Sequence, residues 1–173
     1  MRAWLLCLAL TTSAAVRAEH VLTATFFQHH ELRSITSGSA LGPGVGWTWF
    51  LNENVGVGAG ARFNIPTLNM RPAIEGYVRG VITVPVKFWS PLLGVEFGFI
   101  AGWGELRSIR PSEQIRAELN TEGPVYFAMH TEVLRFVFGR WLVSVMGLQV
   151  GTAIPPGSAL RMQFDFLTLG VKL

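Results

Sequence analysis

The sequence predicts an all-β fold: an eight-stranded antiparallel transmembrane β-barrel with long outer loops and short periplasmic turns. Three observations carry that prediction. Every odd position in 41–51 and 55–65 is apolar, whereas the even positions are mostly glycine; a strict period of two means strands with two unlike faces. The chain is 50% hydrophobic and 14% charged, with a mean hydropathy of +0.38. Yet Lys87, Glu96, Arg135 and Arg140 interrupt every apolar run beyond the N-terminus that could serve as a spanning helix. A lipid-embedded chain without spanning helices must close into a barrel, because each backbone polar group needs an internal partner. Finally, the connections between the apolar segments alternate long and short, as in barrels whose short turns all share one side of a membrane.

The first segment is a targeting signal. Met1 and Arg2 form a basic start, 4–16 an apolar stretch, and Val16-Arg17-Ala18 a small-x-small exit. The division expected is a signal peptide over 1–18 and a barrel over 19–173. A membrane anchor would need ~20 apolar residues, and this run has about 13. Cys7, the sole cysteine, lies inside the run after Leu5 and Leu6 rather than at its end, so lipidation is not expected. The mature chain then holds no thiol, disulfide or cysteine-based metal site. Removing Arg2 and Arg17 turns 14 basic residues into 12, against 11 acidic ones. That near-neutral balance, without a basic stripe or binding motif, argues against nucleic acid as a partner.

Eight strands follow, over 21–27, 39–51, 55–65, 77–88, 93–105, 125–136, 141–154 and 160–173. In the second and third, Val45, Trp47, Trp49, Val57, Phe63 and Ile65 share one face, and Gly42, Gly44, Gly46, Gly56, Gly58, Gly60, Arg62 and Asn64 the other. Bare glycine suits a crowded cylinder interior, so the apolar face points to lipid. The fourth strand places Val78, Ile82, Val84, Val86 and Phe88 outward and Arg79, Thr83, Pro85 and Lys87 inward, with a bulge or missing ladder bond at Pro85. The eighth changes phase: Met162, Phe164 and Phe166 share a face, then Leu167, Leu169, Val171 and Leu173 take over, which a β-bulge near Phe166 reconciles. Long connections fall at 28–38, 66–76 and 106–124, with two turns of helix conceivable over 111–120; tight ones fall at 52–54, 89–92 and 137–140. Aromatic rings collect at both strand ends, as at membrane interfaces. Phe27, Phe63, Tyr77, Trp103 and Phe127 lie towards the outer side, and Trp49, Phe88, Trp89, Phe138 and Trp141 towards the periplasm. A soluble, lipocalin-like barrel is the rival fold and would carry the bulk inside.

This architecture resembles the small eight-stranded outer-membrane barrels of Gram-negative bacteria, of the OmpA-barrel, OmpX and OmpW kind. The resemblance spans residues 19–173 and rests on layout rather than a motif. It implies residence in the cell outer membrane, contact with outer-membrane lipid and lipopolysaccharide, and delivery by the barrel-assembly machinery. The family usually ends in an aromatic residue; Leu169, Val171 and Leu173 keep the alternation without the terminal ring.

Inside so narrow a barrel there is room for side chains but not for a general diffusion pore. The polar residues that alternation sends inward are Arg62, Arg79, Lys87, Glu96, His130 and Glu132, with Gln149, Lys172 and, if the bulge lies beyond it, Asp165. Charges of both signs in a low-dielectric tube should pair into a salt-bridged plug, whereas the inward glycines would leave space for water or a small ligand. His130 and Glu132, two apart on one strand, could orient a general base. Some barrels of this kind are lipid A deacylases or acyltransferases that combine His, Ser and an acid, but no His-x-Ser occurs here, and only Ser144 stands as a distant candidate. His29 and His30 read as solvated loop residues, and no metal site, cofactor or catalytic residue is expected. The leading expectation is a non-catalytic barrel with a structural or surface-interaction role, engaging a surface partner through its outer loops. Arg107, Arg110 and Arg116 on the third loop could meet anionic headgroups but are interleaved with Glu105, Glu113, Glu118 and Glu122. A narrow conduit for small hydrophobic solutes and a membrane-embedded lipid A-modifying enzyme are the alternatives.

Overall fold

A computed structural model describes residues 19–33, 36–103, 124–154 and 159–173, together with Glu113. The expected signal peptide and most of 104–123, including the conceivable helix, lie outside them. The chain runs through β1 (Glu19–Leu32), β2 (Ser37–Phe50), β3 (Val55–Leu68), β4 (Ala73–Thr83), β5 (Leu92–Gly102), β6 (Val125–Glu132), β7 (Leu134–Phe138), β8 (Trp141–Ala153) and β9 (Leu160–Lys172). Each strand pairs antiparallel with its neighbour in sequence up to β6, and β8 pairs with β9. The cylinder closes between β1 and β9 and between β6 and β8, with β7 also on β8. Segments β6 and β7 are therefore two halves of one strand interrupted at Val133, and the molecule is a closed eight-stranded antiparallel barrel.

Period-two alternation sets the two faces. Gly42, Gly44, Gly46, Gly56 and Gly58 are buried, and their neighbours Val45, Trp47, Trp49, Val57, Phe63 and Ile65 are exposed on the outer wall. That wall is apolar almost throughout, which a barrel can sustain only in lipid. The strands overrun two of the expected loops, so the β1–β2 and β3–β4 connections shrink to residues 33–36 and 69–72. Polar residues there look like loop, but His29, Glu31 and Glu75 occupy inward positions and are buried. Of the connections on this loop end, only that between β5 and β6 is long. Phe27 and Tyr77 also point inward, packed against glycine, and do not belong to the outer aromatic belt; Phe63, Trp103 and Phe127 do, with Phe63 and Trp103 centroids 5.7 Å apart.

At the opposite, turn end, β4 stops six residues before the aromatic pair that precedes Ser90 is complete, because Pro85 and Pro91 have no N–H to continue a ladder. The segment 84–91 doubles back through a bridge between Val86 and Trp89, and Lys87 adopts a left-handed φ of 56°. It then lies along the free edge of β7. Trp89 bridges Phe136, the Ser90 N–H donates to the Arg135 carbonyl at 2.8 Å, the Val137 N–H donates to the Phe88 carbonyl at 2.7 Å, and Trp89 Nε1 donates to the Val133 carbonyl at 2.7 Å. Lys87 is consequently exposed at the rim of the barrel, not lumenal as alternation through Pro85 would have it.

Three strands switch phase together. The expected bulge in β9 appears as two successive outward residues, Phe166 and Leu167, and matching pairs stand beside it: Val145 and Met146 on β8, Val133 and Leu134 on the strand formed by β6 and β7. Ladder register is unbroken across this line, with Val145 facing Leu167 and Gly147 facing Asp165. At β1 the extra residue is absorbed by a register shift between Phe26 and Phe27. The switch lets residues of opposite parity, Glu132 with Arg135 and Asp165 with Thr168, all face inward. Met146 takes a φ of 59° to accomplish it.

Candidate functional site

The lumen gathers the polar chemistry. Alternation along the strands delivers His29 and Glu31 from β1, Arg62 and Asn64 from β3, Glu75, Tyr77 and Arg79 from β4, and Glu96 from β5. It delivers Tyr126, His130 and Glu132 from β6 and Arg161, Gln163 and Asp165 from β9, all of them buried. Space for the large side chains comes from glycine on facing walls. A Cβ at Gly60 would strike the Tyr77 hydroxyl, one at Gly98 the Tyr126 ring, and one at Gly44 would come within 3.8 Å of Phe27. Rings thus occupy the space beside Gly60 and Gly98.

Glu96, 1% exposed, is the hub. It accepts two hydrogen bonds from Arg62, at 2.5 and 2.8 Å, one from the Tyr126 hydroxyl at 2.7 Å and one from Gln149 Nε2 at 2.9 Å. Its ladder neighbour is Arg79, which donates instead to Thr48 Oγ1 at 3.0 Å. Arg62 lies over the Tyr77 ring at 4.1 Å and reaches Glu75 at 3.8 Å. Towards the loop end Arg161 pairs with Glu75 and, at 3.3 Å, with Glu31, while stacking 4.1 Å from the Tyr126 ring. Glu31 also accepts from Arg33 and lies 3.1 Å from His29 Nε2. Towards the turn end His130 Nε2 stands 3.2 Å from Asp165 and 3.7 Å from Glu132, which faces Arg135 Nε at 3.6 Å.

Five carboxylates and four arginines are therefore buried in one tube among the described residues. Mutual pairing offsets the desolvation that would otherwise cost each ion several kcal/mol. No three His, Cys, Asp or Glu side chains among the described residues converge as metal ligands would. The same register separates His130 from Ser144. His130 faces Gln149 of β8, and Ser144 lies five residues along that strand, about 16 Å away. Ser144 faces Arg135 and Thr168 instead.

Arg62, Arg79, Glu96, His130 and Glu132 all face the lumen, and Lys87 does not; Lys172 sits at the turn-end rim, 2.9 Å from Glu19. Glu31, Glu75, Tyr126, Arg135 and Arg161 complete the network without having been singled out in the sequence, and His29, read there as a solvated loop residue, is buried in it beside Glu31. Glu75 was within reach: it shares parity with Tyr77 and Arg79, two and four residues on, and faces Arg62 across the ladder.

Solved structures with this arrangement include Neisserial surface protein A, which superposes with a TM-score of 0.66 at 9% identity, over 89% of this chain and 97% of that one. The chain has the fold of the small outer-membrane barrels. Ail, the attachment invasion locus protein of Yersinia pestis, matches with a TM-score of 0.48 in its complex with the heparin analogue sucrose octasulfate, at 11% identity over 90% of this chain and 99% of that one. No family model matches the sequence, and no curated protein does.

Proposed function

We propose that the protein is a non-catalytic barrel of the cell outer membrane, whose body is a sealed scaffold and whose loop end meets its partners. One observation carries the reading: the lumen is crossed by a continuous set of ion pairs and rings from Glu31 through Arg161, Glu75, Arg62 and Glu96. A barrel this narrow has no remaining path for solute once its interior is filled. Non-catalytic work is supported by the separation of His130 from Ser144, since a general base must stand within hydrogen-bond reach of the hydroxyl it activates.

On this reading the outer wall contacts membrane lipid and lipopolysaccharide, the barrel-assembly machinery inserts the chain, and the long connection over 106–124 presents a surface to a partner outside the cell. Residues 1–18 act as the signal peptide that sends the chain there. The test is fractionation of the tagged protein with gel mobility before and after boiling, followed by planar-bilayer recording. Recovery with the outer membrane, a compact unboiled band and conductance at background are expected. Steady single-channel conductance would replace the sealed scaffold with the conduit reading, and a mass shift of lipid A on expression would replace it with the enzyme reading.

A further inference from the structure

The turn end holds a cavity of about 250 Å³ that the ion-pair network does not fill. Its inner end is apolar: Val21 and Phe50 line it and belong to a buried cluster with Val81, Leu92 and Leu142, against which Val137 packs. One side is made by Thr83 and Ser90 and by the folded-back segment 84–91, so the cavity exists because β4 stops early.

Its polar groups are unevenly satisfied. Arg135, 4% exposed, spends Nη1 on the Ser90 carbonyl and hydroxyl, each at 3.1 Å, and directs Nε to Glu132. Its guanidinium carbon lies 5.9 Å from the centroid of the Phe50 ring, which lines the cavity. Lys87 lines the same cavity and forms no ion pair among the described residues, whereas Lys172 is neutralised by Glu19. A guanidinium and an ammonium group, Arg135 and Lys87, thus share with Glu19, Glu53 and Lys172 a cavity whose inner end is apolar. Glu53, on the β2–β3 turn, also lines the mouth, and its repulsion disfavours a second negative charge on anything bound.

We infer that this cavity is a binding site for a small monocarboxylate with an apolar body, its carboxylate on the Arg135 guanidinium and Lys87 and its body against Phe50 and Val137. Size agrees with the chemistry. Cavities of ~150 Å³ already take up benzene, so the larger space here accepts one ring with a carboxylate, and it falls short of the ~300 Å³ at which drug-sized sites begin. A guanidinium edge is the donor geometry best matched to a carboxylate.

The test uses benzoate as probe, with the refolded full barrel in detergent micelles and saturation-transfer NMR as readout. Benzyl alcohol is the neutral control, phthalate the dianion, and protein-free micelles the blank. Benzoate is expected to saturate, benzyl alcohol only to partition as it does into empty micelles, and phthalate to bind less well than benzoate. Lys87→Gln, a change at an exposed rim position, should weaken benzoate about fivefold. Val137→Trp should abolish saturation by occupying the apolar end, with the compact unboiled band reporting that the barrel has formed. Should that variant not fold, Lys87→Gln decides alone. Benzoate binding unmoved by Lys87→Gln, or no stronger than that of benzyl alcohol, overturns the proposal.

Discussion

Tyr77 and Tyr126 account for glycines that a reading of sequence assigns only to crowding. Each ring is fixed by a guanidinium, Tyr77 under Arg62 and Tyr126 under Arg161, and the Tyr126 hydroxyl is held by Glu96 as well. A methyl group at Gly98 would have to displace that ring. Gly98→Ala is therefore expected to destabilise the barrel by about 1–3 kcal/mol. Gly76, on the outer wall of β4 with nothing within 4 Å of an added Cβ, is expected to gain about 0.5–1 kcal/mol on the same change. Urea titration of the two variants in micelles checks both signs. Glu96 gives a second contrast. Glu96→Ala strands Arg62 in the tube and should cost about 3–5 kcal/mol, whereas the double change Arg62→Met with Glu96→Leu, which removes both ions and restores bulk, should cost less than the single one. A double variant less stable than Glu96→Ala would mean that the network contributes through its hydrogen bonds to Tyr126 and Gln149 rather than through charge compensation.

At the scale of elements, the phase switch across β6/β7, β8 and β9 explains which parts of the fold were legible and which were not. In β9 the apolar set passes from Met162, Phe164 and Phe166 to Leu167, Leu169 and Val171 with polar residues between, so a bulge can be read directly. In β8 the same switch falls within Val143 to Leu148, where hydrophobic residues, Ser144 and Gly147 suit either face and leave no trace of the change. The strand boundaries of β1 and β4 were hidden for the opposite reason. His29, Glu31 and Glu75 are as polar as loop residues; the parity of Tyr77 and Arg79 points to Glu75, but it is the contacts to Arg161, from the far end of the chain, that place His29 and Glu31 in the interior. Lys87 was misassigned because strict alternation was carried through Pro85. The line itself predicts a response at Met146. Its φ of 59° is unfavourable for a side chain and its 71% exposure leaves little packing to lose, so Met146→Gly should stabilise the barrel by about 1 kcal/mol. Met146→Ile, branched at Cβ, should destabilise it by a similar amount. Equal midpoints for the two in urea would show that the switch is set by its neighbours Leu134 and Leu167 and not by backbone strain on β8.

For the whole molecule the decisive property is that bulk faces out and charge faces in, the inverse of a soluble barrel. Val78 is midway along β4, 57% exposed, with Ala59 and Phe97 beside it in the ladder. Val57 is near the turn end of β3, facing Trp49, whose partner His20 stacks on it with ring centroids 6.2 Å apart, an arrangement suited to the interface. A charged group on the lipid face costs most at the bilayer midplane and least near its edges. Val78→Arg should therefore cost about 2–4 kcal/mol and Val57→Arg about 0–1 kcal/mol in refolding into lipid vesicles. Gly58→Arg brings the opposite problem. Its side chain would enter a filled lumen beside Thr48 and face Arg79 across the ladder, so no compact unboiled band is expected from it. In an inside-out, water-soluble barrel the order would reverse, with Gly58→Arg a mild surface change and both valine variants burying a charge. Comparing gel mobility and refolding free energy for the three single variants thus tests the orientation of β3 and β4: a tolerated Gly58→Arg beside equally damaging Val57→Arg and Val78→Arg is incompatible with a lipid-facing wall.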